Sequence, residues 1–141
     1  MIIPDVNLLV YAYNADAPRH SAARVWLETL LNGGRAVGLP WAVACGFIRL
    51  MTHPRVVVSP LPPAVAVAIV ASWLSCPNVS VLDPGTRHLE IFGALLEQLG
   101  VGGNLTTDAH LAALAIEHQC ELHSADADFA RFSGLRWINP L

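Results

Sequence analysis

The sequence predicts an α/β fold built on a mainly parallel central sheet. Three observations carry that reading. Short apolar runs alternate with longer stretches of helical periodicity along the 141 residues. Proline and glycine mark several of the boundaries, at Pro18, Gly33-Gly34, Pro54, Pro62-Pro63, Pro77 and Gly100. No internal repeat, low-complexity tract or linker interrupts the alternation, so residues 1–141 are expected to form a single domain, which suits a chain of this length.

Each element can be justified in order. "MIIPDVN" is a short apolar strand ending at Asp5, and "NLLVYAYNAD" continues with helical spacing. In "PRHSAARVWLETLLNGG", Pro18 lies near a helix start, Ala22, Val25, Trp26 and Leu30 recur at helical spacing, and Gly33-Gly34 is a stop. "RAVGLP" is a strand. The apolar stretch from Trp41 to about Met51 is a helix closed by His53-Pro54. "VVVSPLPP" is a loop that begins with a strand-like piece, and Pro62-Pro63 then opens a helix to about Ser75, stopped by Pro77. "NVSVLDPG" is a strand with a turn, and residues 86–99 form a helix ended by Gly100. "VGGNLTTDAHLAALAIEHQ" reads as a loop and a helix. The strand "CELHSAD", the helical turn "ADFARFSG" and a last strand "LRWINP" complete the chain.

Composition excludes several classes. Apolar residues make up 54% of the chain and charged residues 13%, a balance too apolar for disorder and one that leaves apolar area for a homo-oligomer or partner interface. No run of eighteen apolar residues and no basic, apolar leader is present, so no membrane association and a cytoplasmic location are expected. Cys45, Cys76 and Cys120 are odd in number and lack metal-ligand spacing, and read as reduced core residues. The formal charge is −3, yet residues 29–82 contain no acid while holding Arg35, Arg49 and Arg55. All eight basic residues are arginine, which suits bidentate contacts to phosphate. The six histidines show no HxH or HExxH pattern and read as solvated or locally bonded. Glu90, Glu97, Glu117 and Glu121 read as solvated near helix surfaces.

The carboxylates carry the chemistry. In open parallel sheets ligands gather beyond the carboxyl ends of the strands. Asp5 and Asp126 each follow a strand, Asp128 lies two residues past Asp126, and Asp108 opens an otherwise apolar helix. Each also has a simpler reading: an Asx-turn or cap for Asp5, a turn for Asp126 and Asp128, and a helix cap for Asp108. For Asp108 the cap is the weaker reading, because Asn104, Thr106 and Thr107 already offer capping groups. Carboxylates converging at one sheet edge repel one another without a cation, and an all-oxygen donor set suits Mg²⁺ or Mn²⁺ more than zinc. Such a site hydrolyses phosphodiesters.

Taken together, "PDVNLLVYA", "GNLTTDAHLAALAIEH", "SADADFARFSGLRWINPL" and "LPWAV…GFIRLMTHPRV" resemble the PIN-domain proteins of the VapC toxin type, over essentially the whole chain. The resemblance implies an α/β/α sandwich, an endoribonuclease dependent on Mg²⁺ or Mn²⁺, a homodimer, a VapB-type antitoxin, and RNA substrates such as transfer or ribosomal RNA. It assigns Asp5, Asp108 and Asp126 as metal-holding catalytic acids, with Asp128 supporting or replacing one of them. Asn7 and Thr107 match polar positions beside the site, and Arg49 is placed to contact a phosphate or to pack at the site's edge. One departure stands out: where the family commonly has an acid in an E-F-x-R pattern, this chain has "GFIR", with Gly46 in the acid's place. That leaves a competing expectation, a PIN-fold module that binds RNA or antitoxin without cutting. A small Mg²⁺-dependent phosphatase is a third reading, and "DVN" lacks the DxD pair such an enzyme needs. The helices at 18–31 and 62–75 could carry partner contacts through Trp26 or Trp73, or simply pack the core.

Overall fold

The computed structural model describes residues 1–141. Five three-residue strands form one sheet: β1 (Ile2–Pro4), β2 (Val37–Leu39), β3 (Val79–Val81), β4 (Glu121–His123) and β5 (Arg136–Ile138). Six helices connect them: α1 (Val6–Tyr13), α2 (His20–Asn32), α3 (Trp41–Met51), α4 (Pro63–Leu74), α5 (His88–Leu99) and α6 (Thr106–Glu117). The strand order is β3-β2-β1-β4-β5 and every pairing is parallel. The fold is therefore the expected α/β/α sandwich. β1 is central and wholly buried, which is why "IIP" is apolar without alternation.

This order fixes where a ligand belongs. The chain winds outward from β1 to β2 and β3, then crosses back to lay β4 and β5 on the other side of β1. The connections on either side of β1 diverge, so the crevice of this sheet opens beyond the carboxyl ends of β1 and β4. Asp5 follows β1 directly, and Asp126 follows β4 by three residues.

Helix packing holds these strand ends still. α1 packs on α2 and α3, α3 packs on α4, and α5 packs on α6. Tyr13, Phe47 and Trp73 bring three of these helices together, with ring centroids 4.7–5.8 Å apart. The Trp73 indole N–H donates to the Tyr13 hydroxyl at 3.0 Å, which satisfies a polar atom that burial would otherwise strand. Trp73 is 2% exposed, so it belongs to the core and cannot anchor a partner.

Local signals explain most boundaries. Pro63 occupies the first turn of α4, where its missing N–H costs nothing. Gly100 ends α5 with φ +68, a left-handed conformation that glycine adopts without Cβ strain. Three expectations need correction. Val56–Val58 forms no strand: Val57 turns into the core, Val56 and Val58 face solvent, and the Val56 and Val57 N–H groups donate to the His53 carbonyl. Cys45 is exposed, while Cys120 is buried and Cys76 lies between. Glu117 and Glu121 are not solvated side chains. The Glu117 side chain is 10% exposed and accepts from the Gly85 and Arg87 N–H groups, and Glu121 lies on β4, paired with Arg35 at 2.8 Å.

Candidate active site

Asp5 is the most constrained of the four aspartates. It is 5% exposed, and three donors hold its carboxylate: the Val6 N–H at 2.7 Å, the Asn7 side-chain amide at 2.8 Å and the Ser124 hydroxyl at 2.7 Å. The bond to Val6 makes Asp5 the cap of α1, so the simple reading and the functional one hold together. Ser124 Oγ in turn accepts from Asn7 Nδ2 and from the Asp126 N–H, both at 3.0 Å. The ends of β1 and β4 are thereby tied through side chains as well as through the sheet.

Asp126 caps the short 3-10 turn Ala127–Arg131 by accepting from the Asp128 N–H at 2.9 Å. The turn reading of "DADF" is thus correct, and the same turn brings both carboxylates toward the crevice. Asp108 lies in the first turn of α6, and no side chain caps that helix. Asn104, Thr106 and Thr107 therefore do not play the capping part assigned to them. Thr107 is exposed and makes no side-chain hydrogen bond, and Arg49 is exposed in the last turn of α3.

The electrostatics show that the four acids share one region. Burial pushes the Asp108 carboxyl up to about 6, and repulsion from Asp5, Asp126 and Asp128 adds to the rise. Burial also raises Asp5, against the lowering effect of its bonds from Ser124 and Val6, with Asp126 adding to the rise. Every charge acting on Asp108 is another carboxylate. A surplus of negative charge in a half-buried, all-oxygen setting is what a hard divalent cation neutralises, so the donor set fits Mg²⁺ or Mn²⁺. As the side chains stand, no three His, Cys, Asp or Glu residues are grouped closely enough to hold a metal ion together.

The family model described as the PIN domain matches residues 2–135. The chain belongs to the PIN-domain family. Ribonuclease VapC33 of Mycobacterium tuberculosis is 49% identical over 141 residues, covering 100% of this chain and 99% of that protein. Ribonuclease VapC37 of the same species is 41% identical over 140 residues, covering 99% and 97%. Among solved structures, VapBC2 from Rickettsia felis, bound to a DNA fragment from its promoter, matches with a TM-score of 0.71 at 22% identity, covering 99% of this chain and 98% of that one. That last likeness shows the PIN fold.

Within this PIN domain, Gly46 occupies a telling place. A Cβ built there would lie 3.3 Å from Val6 Cγ2, so the α3 position that lacks an acid abuts the residue following Asp5. Sequence reading missed Ser124, whose importance depends on a hydrogen bond spanning 119 residues of chain. Its one local signal is the spacing Ser-Ala-Asp, a serine able to accept from the N–H two residues on. Ser124→Ala removes a donor from Asp5 and an acceptor from Asn7 and Asp126. If Asp5 holds a divalent cation, as proposed below, the variant should lower activity about 10–100-fold, as loss of a supporting partner usually does, with a higher Mg²⁺ requirement in titration. Unchanged Mg²⁺ dependence would show that Asp5 needs no such support.

Every histidine is hydrogen-bonded within the protein, His20 and His53 locally and the other four to partners remote in sequence. His20 meets the Tyr11 carbonyl, His53 accepts from the Arg55 N–H, His88 meets His110, His118 meets the Asp83 carbonyl, and His123 accepts from the Trp26 indole.

Proposed function

We propose that this PIN protein is an endoribonuclease and the toxin of a toxin–antitoxin pair, with Asp5, Asp108 and Asp126 holding Mg²⁺ or Mn²⁺ and Asp128 supporting them. The observation that carries the reading is the placement of Asp5 and Asp126 at the adjoining carboxyl ends of β1 and β4, both bonded to Ser124, with burial and repulsion from Asp5, Asp126 and Asp128 pushing Asp108 up to about 6. The cation, when bound, supplies the positive charge that lets the acids ionise together and makes a water acidic enough to attack a phosphodiester.

The chain's own residues do the rest. Ser124, Asn7 and the Val6 N–H fix the Asp5 carboxylate in one orientation, so no rotamer search precedes its use. Thr107, exposed next to Asp108, is a group able to order water, whereas Asn7 is engaged with Asp5, Ser124 and the Ala125 N–H and acts by positioning. Arg49, on the face of α3 that includes Gly46, contributes a guanidinium for substrate phosphate. No protein nucleophile is needed.

The substrate is RNA, with structured molecules such as transfer or ribosomal RNA favoured by the family resemblance. The protein acts in the cytoplasm as a homodimer under control of a VapB-type antitoxin. Relatives called ribonucleases, at 49% and 41% identity over nearly the whole chain, support this reading over a module that binds without cutting. No helix is long and apolar enough to cross a membrane.

The test is direct. Purified protein freed of antitoxin is incubated with total RNA and Mg²⁺ or Mn²⁺, beside EDTA and Asp108→Asn controls. Discrete cleavage that both controls abolish is expected. Cleavage indifferent to EDTA, or none at any cation concentration, would overturn the assignment.

A further inference from the structure

Three of the four tryptophans are accounted for inside the protein. Trp26 donates to His123 at 3.2 Å, Trp73 to Tyr13 at 3.0 Å and Trp137 to the Ser124 carbonyl at 3.0 Å. Trp41 is the exception: it is 54% exposed, its indole N–H bonds to nothing, and no aromatic ring packs on it. An exposed indole offers a large, rigid aromatic face to an occupant, and its surroundings decide whether one fits.

Its position narrows what that occupant is. α3 buries Val43, Ala44, Phe47 and Met51, so the i, i+4, i+8 series Trp41, Cys45 and Arg49 forms a row on its solvent side. Trp41 is four residues past Val37, and Val6 is four residues past Ile2, the residue paired with Val37. Trp41 thus stands at the carboxyl edge of β2 as Val6 stands just past Asp5 at that of β1, and α3 passes against Val6 at Gly46. The other long side chain in the row is a cation. Arg24, Arg35 and Arg87 each pair with a glutamate, whereas Arg49 has no acidic partner and residues 29–82 contain no acid. An aromatic face and an unpaired guanidinium beside a phosphodiester-cutting site match an unpaired base and its phosphate better than the apolar surface of another protein.

We infer that Trp41 is a stacking platform for an unpaired RNA base flanking the cleavage point, with Arg49 on the adjoining phosphate. The inference rests on the reading of the site as a ribonuclease and adds to it a preference for single-stranded or looped segments.

The experiment uses Asp108→Asn protein, which holds RNA without cutting it, and a short single-stranded oligoribonucleotide followed by tryptophan fluorescence and by anisotropy of a labelled strand. Quenching is expected on binding, and added Trp41→Ala should weaken affinity about tenfold. Trp41→Phe should keep most of the affinity while losing the quenching. An abasic strand should bind equally well with Trp41 or Ala at this position. Equal binding of the base-bearing strand by both proteins would overturn the proposal. So would a change in sedimentation mass at unchanged RNA affinity, which would assign the face to a second copy of the chain. If the protein bound no RNA, the ribonuclease reading would fall with the proposal. If RNA bound through Trp41 but unmutated protein cut none, only the nuclease assignment would fall.

Discussion

Asp108→Asn is expected to lower RNA cleavage at least about 10²–10³-fold and, in the absence of divalent cations, to make the protein more stable. The two effects share one cause. Burial and three neighbouring carboxylates raise Asp108 from 3.8 to about 6, so the folded protein binds its proton more tightly than the unfolded chain does. Stability linked to this group is therefore fully present below the unfolded value and is lost as pH rises through about 6. At neutral pH the ionised carboxylate costs about 1–2 kcal/mol, less than the whole shift would imply because the group is partly open to solvent. An amide of the same shape removes that cost together with the charge the cation needs. Thermal unfolding in EDTA at about pH 5 and about pH 7.5 checks this: the parent should lose stability between the two and Asp108→Asn should change less. Added Mg²⁺ should restore the parent at the higher pH and do little for the variant. A variant less stable than the parent at the higher pH in EDTA would refute the argument.

Asp5→Ala is expected to abolish cleavage as well, but to destabilise the fold by about 2–4 kcal/mol. Truncation relieves the desolvation of a buried carboxylate, which is favourable. It also leaves the Val6 N–H and the Ser124 hydroxyl without their acceptor, and the Asn7 amide with only its bond to Ser124. Unmade hydrogen bonds in a buried setting outweigh the relief. Urea unfolding should show an earlier midpoint with the slope retained. A midpoint equal to that of the parent would mean that water replaces the lost acceptor, and that Asp5 serves chemistry alone. The two aspartates should thus separate: one variant inert and firm, the other inert and loose.

Much of this was legible in the sequence because its signals are local. Pro40, Pro63, Gly33 and Gly100 punctuate the chain at element boundaries, and strands as short as "IIP" and "VGL" are visible because their residues are apolar on both faces. The four aspartates could be ranked because carboxylates beside apolar runs at strand ends are physically anomalous. What stayed hidden depends on partners remote in sequence. Ser124 meets Asp5 only because β4 pairs with β1. Glu117 looks like an ordinary surface acid at a helix end until α5 folds back and its preceding loop offers two backbone N–H groups. The valine run at 56–58 misleads because β-branched residues suit strands, while here one of them plugs the core at the end of α3. Thr106 and Thr107 have capping chemistry, but they sit inside α6, and Leu105 holds the cap position.

The uneven fastening of α6 has a mechanical consequence. Glu117 and His118 moor its C-terminal end to residues 83–87, whereas its N-terminal end leaves Gly102 and Gly103 with no side-chain clasp. Near its tip the helix is held by packing and by one side-chain bond: Ala109 and Leu111 are buried, and His110, two residues past Asp108, meets His88 of α5 at 2.9 Å. A partner seated on α5 would thus lie one hydrogen bond, His88 to His110, from the turn that carries Asp108.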